Sequence, residues 1–246
     1  MAFYDEIADD YDVMTGSGER SSMAEQFLRE LVARFPIKSA LDVACGTGLY
    51  AIGLAKMGVR ATGTDVSTAM LDQARKHAQR AALSADWVCA PMQELAANLS
   101  QRFDAVLCMG NSIPHLLTDA DLNASIAGFT HMLNPGGIIV LQLLNYARIM
   151  SRRERIVGIN RQADQEYVRF YDFLPGLLQF NILEINWGGR EVEHRLHSTQ
   201  LRPYVMEELR DALLRHGCQD VHAYSGLQFA PFDRDDSETV MLIGRA

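Results

Sequence analysis

Between residues 39 and 144 short apolar runs alternate with helical patterns, and few folds accept that order. Residues 39–44, 60–64, 87–90, 103–109 and 138–144 read as strands. Residues 49–57, 68–83 and 119–133 carry apolar side chains at helical spacing. Gly58 stops the first of these helices, and Asn134-Pro135-Gly136-Gly137 closes the last. This alternation implies a parallel sheet with helices on both faces.

The flanks differ. The first 20 residues read as a short helix and a loop. Ser21 and Ser22 then cap a helix carrying Phe27, Leu28, Leu31 and Val32, which Pro36 ends. After Tyr146 the residues 165–173, 177–187 and 191–201 read as three strands, punctuated by Pro175-Gly176 and Gly188-Gly189. Helix returns over 206–216, stopped by Gly217, and 221–224 and 239–243 read as the last strands. The expected α/β architecture is a doubly wound, mostly parallel seven-stranded sheet with an antiparallel insert before the last helix and strands. Its parts are a helical cap (1–36), a core (37–145), an insert or lid (146–202) and a completing segment (203–246).

No apolar run approaches the roughly 20 residues that span a bilayer, and the acidic N-terminus has no basic-then-apolar leader. Cys45, Cys89, Cys108 and Cys218 lack Cys-x-x-Cys spacing, which suits free thiols in a cytoplasmic protein. The net charge of −8 argues against a phosphate-tracking surface.

The most informative segment is Leu41-Asp42-Val43-Ala44-Cys45-Gly46-Thr47-Gly48, at the carboxyl end of the first strand, where open α/β sheets bind ligands. As a bare pattern, Gly46-x-Gly48-x-x-Ala51 also fits a dinucleotide fingerprint. Asp42 decides against that: a carboxylate repels a pyrophosphate and tolerates a cationic amino-acid ligand. Asp65 ends the second strand, 17 residues beyond Gly48, where a carboxylate can accept from both ribose hydroxyls.

Over about the first 145 residues this pattern resembles the class I S-adenosylmethionine-dependent methyltransferases, whose core is Rossmann-like. The resemblance implies S-adenosyl-L-methionine as cofactor and S-adenosyl-L-homocysteine as product. It places Gly46 and Gly48 beneath the methionine moiety, Asp65 on the ribose, and Asp42 in the turn, with Ala44 and Val66 beside them. At the third strand's end, Pro91 stands where the superfamily often has an acid, and Met92 is left to pack on the purine. The run Cys108-Met109-Gly110-Asn111-Ser112-Ile113-Pro114-His115-Leu116, with Asn145-Tyr146 downstream, resembles glycine N-methyltransferase and the glycine/sarcosine N-methyltransferases. This implies that Met109, Asn111, Ser112 and His115 line the cofactor and acceptor cavity, and that Tyr4, Tyr11 and Arg20 lie in a segment closing over the cofactor.

The expected activity is in-line methyl transfer to a small-molecule metabolite, at nitrogen, with Asn111, His115 and Tyr146 as catalytic candidates. Oxygen or carbon acceptors are the first alternative, and a nucleic-acid methyltransferase or an NAD-dependent oxidoreductase stands behind them. Asn111-Ser112-Ile113-Pro114 departs from the run of DNA amino-methylating relatives, so no nucleic-acid or membrane partner is expected. In the glycine-methylating relatives an Arg precedes the Asn-Tyr pair, whereas here Leu144 does. That weighs against glycine and points to a larger or neutral acceptor. Arg148, Arg152, Arg153 and Arg155 are replacement charges, read here as a solvated helix face. His194 and His197 lie three apart on a strand, facing opposite ways, so no metal site is expected. A sheet edge in the insert can pair with a second copy as a homo-oligomer.

Overall fold

In the computed structural model, residues 2–189 and 191–246 are described. The apolar runs pair as parallel strands. β1 (Ser39–Val43) lies between β2 (Arg60–Asp65) and β4 (Phe103–Cys108), with β3 (Asp86–Cys89) outside β2 and β5 (Leu133–Leu144) outside β4. β12 (Thr239–Arg245) runs antiparallel to β5, and β10 (Gln219–Ser225) antiparallel to β12. The two-residue β11 (Ala230–Pro231) turns back onto β10, which makes eight strands among the described residues where seven were expected. β5 also starts earlier than expected. Its Asn134-Pro135-Gly136-Gly137 bend sits inside the strand, and the ladder to β4 slips between Phe103 and Ala105.

Alternation along the strands divides the core into two layers. On one face Leu41, Val106, Ile139 and Leu141 pack with Leu122, Ile126 and Phe129 of α7 (Asp119–His131) and with Leu209, Ala212 and Leu213 of α9 (Met206–Arg215). On the other face Ala40, Leu107 and Val140 meet α3 (Ser17–Arg34) and α4 (Leu49–Lys56). Each such fully buried Leu or Phe contributes ~1.5–3 kcal/mol. α5 (Thr68–Arg80) and the short α6 (Leu95–Asn98) complete the crossovers. β1 and β4 are adjacent but leave in opposite directions around the sheet, so their carboxyl ends open a crevice.

After the roughly two turns of α8 (Tyr146–Arg152) comes a separate antiparallel sheet, β6 (Ile156–Gln162), β7 (Gln165–Leu174), β8 (Leu177–Asn186) and β9 (Glu193–Leu201). It has four strands, not three. In β6, IVGINRQ, the apolar residues Ile156, Val157 and Ile159 do not alternate and Gly158 interrupts them, so its sequence carries no strand pattern. The turn into β9 includes Arg190, outside the described residues.

The N-terminal segment holds three helices, α1 (Ala2–Glu6), α2 (Tyr11–Thr15) and α3, with a turn over residues 7–10 between the first two. Gly16, at φ +71°, lets α2 end and α3 begin back to back. Ser21 and Ser22 are therefore exposed positions inside α3 and not its cap. Phe3, Ile7, Ala8 and Met14 form a third apolar cluster with Met70 of α5 and with Tyr167 and Ile182 of the antiparallel sheet. The N-terminal helices thereby touch both halves of the molecule. Among the described residues no helix is long and apolar enough to cross a membrane.

Candidate active site

The loop after β1 and the loop after β4 face each other across the crevice, beneath α1 and α2. Three connected chambers lie there, of about 270, 330 and 70 Å³, and Tyr11 and Gly110 line all of them.

The first chamber runs along the β1 loop past Asp42, Ala44, Gly46 and Thr47 to Arg20, Met109 and Ser112. The small third chamber holds Asp65, Val66, Met70 and Met92, with Tyr4 and His115 at its mouth. Asp65 is 8% exposed; its Oδ2 accepts the Gly46 N–H at 2.9 Å and its Oδ1 the Ser67 N–H at 2.9 Å. Burial raises its pKa, and those backbone donors oppose the rise. The carboxylate retains lone pairs toward the chamber. Asp42 is buried beneath the turn, where its Oδ2 accepts the Ala51 N–H in the first turn of α4 at 3.0 Å. Desolvation pushes it up to about 7.

The two glycines of the turn separate in role. Gly46, at φ +54°, faces the chamber, and a Cβ there would meet only the Tyr11 ring at 4.0 Å. Gly48, at φ +87°, faces away: a Cβ would lie 2.7 Å from the Trp87 indole and 3.0 Å from Ala74. Gly48 lines none of the three chambers. The structure places Gly48 in close packing under Trp87. Pro91 also lies outside the chambers and precedes the single turn that carries Met92.

The loop after β4 is fixed to β5. The Gly110 N–H donates to Gln142 Oε1 at 2.8 Å, and the Asn111 N–H donates to the Gln142 carbonyl at 3.1 Å. Asn111 takes φ +69°, and its Oδ1 accepts the Leu144 N–H at 3.0 Å. Its Nδ2 donates to the Tyr146 hydroxyl at 2.8 Å. Both ends of the Asn111 amide thus engage the wall, while the residue lines the second chamber. Tyr146 is 1% exposed and lines no chamber. Its hydroxyl sits behind Asn111, 3.5 Å from that of Tyr171. Ser112 Oγ donates to the Met109 carbonyl at 2.9 Å.

His115 stands between the second and third chambers. Its Nε2 pairs with the Tyr4 hydroxyl at 2.7 Å, and its Nδ1 is buried without a partner. Burial drives the imidazole down to about 4, so it is neutral at pH 7.

The second chamber is walled mainly by apolar groups, including Ile7, Met14, Leu144, Val157, Phe180 and Ile182. Its only charged lining groups among the described residues are Arg20 and Arg169. The four arginines after α8's start lie elsewhere. Arg148 pairs with Glu154 at 3.0 Å, Arg152 with Asp236 at 2.8 Å and Arg155 with Asp172 at 2.5 Å, while Arg153 stacks over Phe173 at 4.1 Å. Sequence reading did not single out Arg169 or Gln142. His197 Nδ1 lies 3.0 Å from Glu6 Oε2, tying β9 to α1, and no metal-binding group of three His, Cys, Asp or Glu occurs among the described residues.

A carboxylate that ends the second strand, a glycine turn over a buried acid, and a crevice at the reversal of strand order together make the kind of site at which open α/β sheets bind ligands. Asp65 is the one carboxylate among the described residues lining the third chamber, which His115, its buried Nδ1 without a partner among the described residues, also lines. Residues 40–137 match the methyltransferase domain family. The chain is 28% identical over 234 residues to a glycine/sarcosine N-methyltransferase of Aphanothece halophytica, an alignment covering 93% of this chain and 83% of that one. It spans about half the length, 52%, of two further proteins of that name. Among solved structures, an S-adenosylmethionine-dependent methyltransferase from Clostridium acetobutylicum superposes with a TM-score of 0.84 at 18% identity, covering 98% of both chains. The CcbJ methyltransferase from Streptomyces caelestis does so with a TM-score of 0.80 at 25% identity, covering 99% of this chain and 97% of that one. Residues 40–137 thus form a methyltransferase domain, and the chain as a whole shares the fold of S-adenosylmethionine-dependent methyltransferases.

Proposed function

We propose that the protein methylates a nitrogen of a small molecule, with the donor in the first and third chambers and the acceptor in the second. The observation that carries this reading is the meeting of all three chambers at Tyr11 and Gly110. A methyl group at that junction faces both sides.

The donor supplies an electrophilic methyl carbon on a cationic sulfur. Asp65 would accept from its ribose hydroxyls, Val66 and Met92 would flank its adenine, and Ala44, Gly46 and Met109 would line its amino-acid end. Arg20, which has no ion-pair partner among the described residues, would take its carboxylate. The clamp of Asn111, Gln142 and Tyr146 keeps the loop after β4 rigid, so that the acceptor is held in line. Positioning of this kind can supply ~7–11 kcal/mol of barrier lowering. The cap (1–36) and lid (146–202) exclude water.

Nitrogen is favoured over oxygen because the second chamber offers no strong base. Its lining contains no carboxylate, and His115 at about 4 is a weak proton acceptor. An amine can shed its proton before it binds, and a hydroxyl cannot. Calorimetry with S-adenosylhomocysteine, followed by a radiolabelled methyl-transfer screen over amines and alcohols, tests the proposal. Binding of NADH in its place, or labelled products confined to alcohols, would overturn it.

A further inference from the structure

Arg169 is the one charged lining group that the proposed function leaves without work. It lies on β7, half-buried, facing the second chamber. Its Nε is buried and has no hydrogen-bond partner, and no carboxylate pairs with its guanidinium among the described residues. The neighbouring strand makes room for it. Gly158 on β6 pairs with Arg169, and a Cβ there would come within 2.7 Å of the guanidinium. Burial lowers its pKa, and the like charge of Arg20 lowers it further.

A guanidinium in this setting is unfavourable for the empty protein, because its desolvation is not offset by a counter-ion. Packing alone would be served better by Met or Leu. The rest of the site heightens the contrast: Asp42 and Asp65 line the first and third chambers, while the second, in a chain of net charge −8, carries two cations and no anion. If Arg20 takes the donor's carboxylate, one cation remains without a partner.

We propose that Arg169 receives an oxyanion of the acceptor, which is therefore an amine that also carries a carboxylate or phosphate on an apolar body larger than glycine. The volume of about 330 Å³ and the apolar wall of Ile7, Met14, Leu144 and Phe180 set the size and character of that body. The planar fork of Arg can hold either oxyanion with two parallel bonds. This inference rests on the proposed assignment of donor and acceptor chambers.

The test uses the full chain saturated with S-adenosylhomocysteine, and three probes: 3-phenylpropionate, phenyl phosphate and the neutral 3-phenylpropanamide. Calorimetry should show one of the anions binding about tenfold or more tighter than the amide. Which anion wins identifies the oxyanion. Arg169→Met should abolish the preference and leave S-adenosylhomocysteine affinity within about twofold, while Arg169→Lys should keep part of it. A wild-type protein that binds S-adenosylhomocysteine yet shows no anion preference, including no binding of any probe, overturns this inference alone. So does a preference that survives in a folded Arg169→Met. Failure of S-adenosylhomocysteine to bind at all overturns the proposed function and this inference with it.

Discussion

The Tyr4 hydroxyl lies 2.7 Å from His115 Nε2, so a residue of the first helix is bonded to the loop that follows the fourth strand. The bond is the polar centre of an otherwise apolar contact, since the Tyr4 ring also packs edge-on against His115 at 5.3 Å and against Tyr11 at 6.3 Å. Removing it leaves an imidazole with both nitrogens unsatisfied. Tyr4→Phe should therefore destabilise the closed cap by ~1–3 kcal/mol. Hydrogen exchange in residues 2–15 should quicken, with the sheet unchanged. Equal protection in wild type and variant would contradict the prediction.

Asp65 holds two backbone N–H groups besides any ligand. Asp65→Ala should weaken S-adenosylhomocysteine binding by at least ~1.5–3 kcal/mol, the value of a charge-assisted bond. It should also lower the melting temperature of the free protein, because Gly46 and Ser67 lose their acceptor. Calorimetry on a folded variant with unchanged affinity would remove Asp65 from the cofactor site.

The two glycines of the turn should respond oppositely to alanine. Gly48→Ala drives a methyl into Trp87 and Ala74, and should lower stability by ~1–3 kcal/mol beyond the ~1–2 kcal/mol strain of a left-handed residue. Gly46→Ala meets open space below Tyr11, so only the strain applies to stability, and the loss should fall on cofactor affinity. Thermal melts read beside calorimetry separate the two. Trp87→Leu should partly rescue Gly48→Ala and do nothing for Gly46→Ala.

Asp42 and His115 should tilt the stability of the cofactor-free protein in opposite directions with pH. The carboxyl of Asp42 is raised to about 7 from an unfolded value near ~3.9. Its contribution is complete below that lower value and is lost as pH climbs through about 7. His115 is depressed to about 4 from an unfolded value near ~6.5, so its contribution is complete above the upper value and is lost as pH falls through about 4. Each slope is at most ~1.4 kcal/mol per pH unit. Relative to wild type, Asp42→Asn should gain stability between pH 4 and 7, and His115→Asn should gain it as pH falls from 6.5 to 4. Parallel melting curves for all three proteins would exclude both effects.

The parallel core was legible because short strands of mostly small and apolar residues alternate with helical patterns and turn residues, and Asp65 stood out as a carboxylate at a strand's end. The difference between Gly46 and Gly48 was not. It depends on Trp87, which reaches the turn only through the pairing of β2 with β3. Arg169 was hidden for a related reason. On an alternating strand, an arginine turned inward and one turned to water share the same local pattern, and only the position of β6 and of Gly158 decides. Gln142 lay inside an apolar run, and Tyr146, beside Asn145, gave no sign that it would be buried behind the loop it supports.

The groups around Asp65 belong to loops of the parallel sheet, whereas Arg169, Tyr171, Phe180 and Ile182 belong to a second sheet that shares no strand with it. On the proposed assignment of the chambers, choice of what is methylated draws on the second sheet, and handling of what does the methylating draws on the first. Exchange of side chains along β7 and β8 can redirect such an enzyme toward another acceptor while its supply of methyl groups runs on unaltered.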